Sequence, residues 1–351
     1  MPGAEKKRQR TRRTFLKEIS TFGAALAATG AANFAESPFS ARQTEASYAG
    51  VPKRIGLGLY TVRDLMTDGP SYQTTLSKVA EIGYKEVEPA DRTDSKVAYG
   101  GLGPKAFRAL RNQNGLTMPS THSSAIDGPG LEAQLEGFQI MGIKYTEVIQ
   151  PSSPHAGEPG SALPVTGRGG AGGSAPPAPP SRARDAVKRM IDEINRHAQI
   201  TKRFGIKILV RMDIDMFVPL SDEPDLLPYQ MIADNTDPSL VTMQIDTGWA
   251  AIAGQDIVGM FKRNPGHYEL WHVKDAIGLG RMTPQMSFSD RRRTSYFVPV
   301  GLGEVDLHEI FASAPVAGLK HIGIEQDNAA SWGDSLAAAR VNYENVMKLI
   351  S

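Results

Sequence analysis

From Arg54 to the C-terminus, short apolar or β-branched runs alternate with amphipathic stretches eight times over about 300 residues, and this alternation constrains the fold more than any other feature. Strands that are apolar on both faces and separated by helices call for parallel pairing with helices covering the sheet. The predicted strands are 55–60, 84–88, 116–122, 145–150, 206–213, 240–246, 268–273 and 321–325. The predicted helices are 72–82, 105–111, 131–141, 185–203, 226–233, 255–263, 307–314 and 335–349, with a long loop before the seventh. In the first helix Leu76, Val79, Ala80 and Ile82 share one face. Eight right-handed βα units close into a single (β/α)8 barrel of the TIM type, in the α/β class. A doubly wound open sheet is the competing arrangement, and the lack of G-x-G-x-x-G after the first strand weighs against it.

Two segments stand outside this pattern. Residues 5–13 (EKKRQRTRR) are strongly basic, and a small-residue apolar stretch runs from Phe15 to Phe34. That stretch is short for a membrane span, which needs about 20 strongly apolar residues. A basic segment, a mild apolar segment and Ala-x-Ala options before Glu36 are the parts of an export signal. Thr11-Arg12-Arg13-Thr14-Phe15-Leu16-Lys17 resembles the twin-arginine signal. It implies export of a folded protein by the twin-arginine machinery to the periplasm or beyond, with residues 1–50 as signal and linker. The mature chain is then expected to have no stable membrane span. The barrel occupies 51–351, interrupted at 151–184 by a Pro/Gly/Ala-rich run without periodicity. Such a run buries too little apolar surface to offset its ordering entropy, so a flexible insert is expected there. It follows a strand, which puts it at the C-terminal rim of the barrel, either as a lid or as a bland insertion.

Composition removes several function classes. Lys+Arg 39 against Asp+Glu 38 gives a formal net charge of +1, without the basic footprint of a nucleic-acid binder. Zero cysteine excludes a thiolate zinc site, an iron–sulfur cluster and a cysteine nucleophile.

In a barrel of this type the active site lies at the C-terminal strand ends. Read from the predicted strands, those ends carry Tyr60, Glu88, His122, Gln150, Asp213, Asp246, His272 with Lys274, and Glu325. Asp246, His272 and Glu325 come from three consecutive strands, and mixed carboxylate and imidazole ligation without thiolate suits Mn²⁺, Mg²⁺, Co²⁺ or Zn²⁺. His122 is a substrate contact or proton carrier, or else a packing histidine. Lys274 is an oxyanion or proton-transfer group, or one half of a salt bridge. Glu88 holds a substrate hydroxyl or pairs with an arginine. Tyr60 and Trp249, at the rim, are candidates to contact the substrate, with ordinary packing the other reading of Trp249. Gly301-Leu302-Gly303-Glu304 is a turn whose lone G-x-G says little about phosphate.

The segments IGLGLYTVRD (55–64), IGYKEVEPA (82–90), VTMQIDTGWAAIAGQD (241–256), LWHVKDA (270–276), VPVGLGEVDLHEIF (298–311) and HIGIEQD (321–327) together resemble the sugar phosphate isomerase/epimerase family, over nearly all of 54–350. The resemblance implies a xylose-isomerase-like barrel and a divalent-metal site on Asp246, His272 and Glu325. It also implies a carbohydrate substrate whose carbonyl-adjacent proton is shuttled by two carboxylates through an enediolate, with Glu325 both ligand and proton carrier. The chain departs from that family at its fifth strand, where members carry a Glu or His ligand and this sequence reads Leu209-Val210-Arg211-Met212-Asp213. Asp213 shares a strand face with Arg211 and either completes the site as the replacement ligand, with Arg211 beside it as a substrate contact, or leaves a three-ligand site or one that no longer binds metal. Loss of the usual fifth-strand acid favours a lyase or dehydratase reaction over two-base epimerisation. A non-catalytic sugar-binding barrel is the alternative of another class; the endonuclease branch of this barrel would need more histidines and a cationic face.

Overall fold

The structure is a computed structural model and describes residues 48, 50–90, 97–123, 129–147 and 182–351. The signal-like segment, Gln150 and residues 151–181 of the insert lie outside the described residues. The last residues of the predicted insert are described: Arg182 bonds Asp215 at 2.7 Å, and Arg184 opens a helix that runs to Lys202.

Ten strands are present among the described residues: β1 Ile55–Gly58, β2 Glu86–Glu88, β3 Ser120–His122, β4 Tyr145–Glu147, β5 Lys207–Met212, β6 Val241–Asp246, β7 Leu270–Val273, β8 Asp275–Ile277, β9 Tyr296–Val298 and β10 His321–Ile324. Eight form one parallel sheet in the order β2-β1-β10-β7-β6-β5-β4-β3. A parallel bridge between Glu86 of β2 and Thr117, just ahead of β3, brings the two edges of the sheet together into a nearly closed barrel. Several strands are shorter than their apolar runs predicted, β2 opening at Glu86 and β3 at Ser120, and the predicted end of β4 at residues 148–150 lies outside the described residues.

Alternation explains where the apolar side chains go. Along β5, Ile208, Val210 and Met212 join the large core between strands and helices, whereas Leu209 turns inward to a small plug with Tyr145 and Leu270. On β7, Trp271 and Val273 belong to the outer core, so His272 faces the interior. The helices supply the outer layer. Gly69–Ile82 starts earlier than its apolar face predicted, because Asp68 caps it through the Ser71 backbone and a proline sits in the first turn. At the N-terminal end of the barrel, ion pairs such as Glu269 with Lys207 at 2.9 Å and His321 with Glu86 at 2.8 Å seal the interior.

The predicted long loop after β7 carries structure of its own. Antiparallel β8 and β9 form a hairpin, with helix Phe288–Thr294 in its excursion. Ile252, Ala276 and Phe297 build a separate apolar cluster there, with Trp249, Leu279, Met282 and Phe288 packed against it. Asp275 anchors the return: its Oδ1 accepts from Ala276 N and Val305 N, and its Oδ2 from Gly301 N and Gly303 N, at 2.8–3.1 Å. A Cβ at Gly303 would stand 2.0 Å from Asp275 Oδ1 and 2.7 Å from the Ala276 carbonyl, so only glycine fits. The G-x-G amides that could cradle an anion already hold one of the chain's own carboxylates. No helix among the described residues is long and apolar enough to cross a membrane.

Candidate active site

Residues two apart on a strand share a face. Gln244 and Asp246 on β6 and His272 and Lys274 at the end of β7 are two such pairs, and Glu325 and Asp327 follow directly after neighbouring β10. One ligand-type atom from each of Asp246, His272 and Glu325 lies within 4.8 Å of the other two, and all three residues are buried.

His272 is the pivot of the site. Its Nδ1 lies 3.2 Å from Glu325 Oε2, and its Nε2 lies 2.7 Å from Glu88 Oε1. Burial alone would depress this imidazole, but Glu325 and Glu88 outweigh it and bring its pKa up to about 9. The two carboxylates thus favour the protonated ring, with Nδ1 toward Glu325 and Nε2 toward Glu88.

Lys274 is the second internal cation. Its Nζ stands 2.8 Å from Asp246 Oδ2, 3.0 Å from Glu325 Oε2 and 2.6 Å from Asp327 Oδ1. Burial opposes its charge, yet Asp246, Asp327 and Glu325 together hold its pKa well above the ordinary lysine value. In return, although burial would raise Glu325, Lys274 and His272 pull it down to about 2. Asp246 goes the other way: burial lifts it to about 6, with Lys274 opposing. Backbone also fixes Asp246, whose Oδ1 accepts from Trp249 N at 2.9 Å and caps helix Thr247–Ile252. Gly58 leaves room for Glu325, since a Cβ there would lie 3.1 Å from its Oε1.

Glu88 faces protein on both oxygens. His272 and His122 Nε2 (3.0 Å) meet Oε1, while Gln244 Nε2 (2.8 Å) and the Ser120 hydroxyl donate to Oε2. Burial would raise its pKa, but His122 and His272 hold it well below the usual range. The substrate hydroxyl expected at Glu88 would have to displace one of these donors. The rings of His122 and His272 meet nearly edge to face at 6.2 Å.

The expected fourth ligand is not assembled. Asp213 Oδ2 bonds Arg211 Nη2 at 2.6 Å and its Oδ1 accepts from Ile214 N at 3.0 Å, so it joins neither the Asp246–His272–Glu325 cluster nor the second group of ligand-type atoms, Glu88, His122 and His272, among the described residues. The reason is the shared strand face: one pleat away, the guanidinium takes the carboxylate first. Burial disfavours the charge of Arg211, but Asp213, Glu147, Glu325 and Glu88 more than restore it. Tyr60 and Trp249 stand at the rim. Arg63 lies over the Tyr60 ring at 3.7 Å, and Trp249 packs edge-on against Phe297 at 4.8 Å, with Lys274 Nζ 6.0 Å from the indole.

Sequence reasoning missed four residues here. Gln244 was signalled by strand alternation, two places before Asp246, whereas Asp327 lies in the turn after β10, where alternation gives no signal. Glu147, buried on β4 and paired in register with His122, lay inside the predicted strand rather than at its exit. Ser120 carried no signal, being a common residue in an apolar run.

The donor set of two carboxylates and one imidazole fits a hard or borderline divalent ion. The bond from His272 to Glu88 is the support that metal-ligating histidines ordinarily have.

No protein-family model matches the chain. An inosose dehydratase from Geobacillus kaustophilus (strain HTA426) is 27% identical over 279 residues, 74% of this chain and 82% of the relative. A solved sugar phosphate isomerase/epimerase from Parabacteroides distasonis ATCC 8503 superposes with a TM-score of 0.63 at 17% identity, over 86% of this chain and 97% of that one. A xylose isomerase-like TIM barrel protein from Mycobacterium smegmatis, solved in complex with magnesium, gives a TM-score of 0.55 at 15% identity, over 87% and 98%. The fold is thus that of the xylose isomerase-like barrels.

Proposed function

We propose that this chain is a divalent-metal-dependent enzyme that removes a proton beside the carbonyl of an uncharged keto-sugar or cyclic keto-polyol. The observation that carries this reading is the buried Asp246–His272–Glu325 cluster, with Lys274 among its carboxylates, at the mouth where such barrels keep their chemistry. Support comes from the inosose dehydratase relative and from the isomerase/epimerase and magnesium-bound neighbours. An uncharged substrate accords with the Gly301–Val305 amides being filled by Asp275.

Asp246, His272 and Glu325 would hold the ion. When bound, a divalent cation supplies Lewis acidity that makes the hydrogen beside the carbonyl easier to remove. The chain's residues do the rest. Glu325, a carboxylate that Lys274 and His272 already hold ionised before an ion binds, accepts the proton from carbon. Lys274 and His122 are the proton donors of the site. Arg211 presents a permanent cation to a substrate oxygen, and Tyr60 and Trp249 offer ring faces at the rim.

Isomerisation and epimerisation begin with this step, and so does β-elimination of water. Arg211 favours the second outcome, because two-face epimerisation needs a second base and the fifth strand supplies a guanidinium already bonded to Asp213. In dehydration the C–H proton goes to Glu325, the neighbouring C–O bond breaks, and the departing oxygen leaves as water with a proton from Lys274 or His122.

The test is incubation of the Mg²⁺-, Mn²⁺-, Co²⁺- or Zn²⁺-loaded protein with free ketoses and a free inosose in D2O. Deuterium incorporation or loss of water that stops with chelator and in Glu325→Gln is expected; none on any substrate would sink the reading. We also propose export, on the basis of Arg12-Arg13 and the segment around them. Replacing both arginines by lysine should leave the protein in the cytoplasm on cell fractionation, and unchanged export would count against it.

A further inference from the structure

Asp327 is the one member of the carboxylate group around Lys274 that lies outside the Asp246–His272–Glu325 cluster. It makes the shortest of the three contacts to the ammonium, 2.6 Å against 2.8 Å for Asp246 and 3.0 Å for Glu325. The loop that carries it is pinned: Arg63 Nη2 donates to the Asp327 carbonyl at 2.9 Å, Gln326 N donates to Thr61 Oγ1 at 3.1 Å, and Asn342 Nδ2 donates to Gln326 Oε1 at 2.8 Å. The carboxylate is therefore held in place by its backbone.

Resting on the reading of that cluster as a divalent-ion site, we infer that Lys274 competes with the ion for Asp246 and Glu325, and that Asp327 is the positioning residue that retains the ammonium when the ion takes those two carboxylates. Two cations cannot share the same carboxylate oxygens in a buried pocket without strong repulsion. Asp246 has no second oxygen to offer Lys274, because its Oδ1 is bonded to the Trp249 amide. Glu325 Oε2 is shared with His272 as well. Among the three carboxylates on Lys274, Asp327 alone is none of the ligands, so it leaves the ammonium a partner at the more exposed edge of the site. With Asp327 removed, the only carboxylates left to Lys274 are the ones the ion needs.

The test is a double-mutant cycle on divalent-ion affinity, read by titration calorimetry of the full chain with Mn²⁺ and Mg²⁺, with thermal denaturation in chelator to verify folding. Asp327→Asn should weaken ion binding about tenfold, and Lys274→Met should tighten it about tenfold. The double variant should match Lys274→Met, because Asp327 acts only through the lysine. A loss from Asp327→Asn that persists in the Lys274→Met background would overturn the inference, as would ion binding in wild type that neither single change alters. Failure of both wild type and Lys274→Met to bind any divalent ion would overturn the ion site itself, a separate result from the first two.

Discussion

Replacing Glu88 by Gln tests whether His272 is oriented from behind. The substitution keeps the side chain's size but turns one acceptor oxygen into an amide donor. Both positions for that amide are unfavourable: one faces His272 at 2.7 Å and His122 at 3.0 Å, and the other faces Gln244 Nε2 at 2.8 Å and the Ser120 hydroxyl. Gln244 can relieve the second arrangement by turning its own amide, since its Oε1 is buried without a partner. His272 then keeps an acceptor, but a neutral one. Exchanging charge-assisted for neutral bonds at a buried site removes about 1–3 kcal/mol of stability. In a domain of this size that lowers the midpoint of thermal unfolding by roughly 2–10 °C. Loosening a histidine ligand typically weakens metal binding about 10–100-fold. Divalent-ion titration and thermal denaturation of Glu88→Gln beside wild type measure both effects. An ion affinity within about twofold of wild type together with an unchanged midpoint would refute the claim that Glu88 orients His272.

Two further outcomes follow from the same geometry. In the metal-free protein the His272 pKa of about 9 lies above its ordinary 6.5, so the stability its proton contributes is complete below about 6.5 and is lost as pH rises through about 9. That contribution is on the order of 3 kcal/mol; denaturant unfolding in chelator from pH 6 to 10 should show the decline, a saturating divalent ion should flatten it, and a level profile in chelator would contradict the assignment. Gly303→Ala, which drives a methyl group into Asp275, should destabilise the protein by about 2–4 kcal/mol; an unchanged denaturation midpoint would mean that the Asp275 cradle does not hold the hairpin's return.

The barrel was legible because eight strand and helix signals recur in order, and a closed parallel sheet is the arrangement that covers every apolar face. Convergence of Asp246, His272 and Glu325 followed from the same logic, since residues at the ends of neighbouring strands must meet. What escaped were features set by contacts distant in sequence. The β8–β9 hairpin is built from three-residue strands, too short for a periodic signal, and is held by Asp275 reaching residues 26 to 30 positions away. Asp213 looked free to serve as a ligand because spacing shows which face a side chain is on but not which partner reaches it first. Lys274 was visible as a polar residue at a strand exit, whereas its position between three carboxylates depends on Asp327, in a loop beyond the last strand.

The central claim is that Asp246, His272 and Glu325 hold a divalent ion at the barrel mouth. Elemental mass spectrometry of the purified protein and of His272→Ala, each equilibrated with Mn²⁺ or Zn²⁺ and freed of excess, tests it most directly. The account predicts about one ion per chain in wild type and a large loss in the variant, with both proteins folded. Wild-type protein that retains no ion, or a His272→Ala variant that retains as much as wild type, would contradict it.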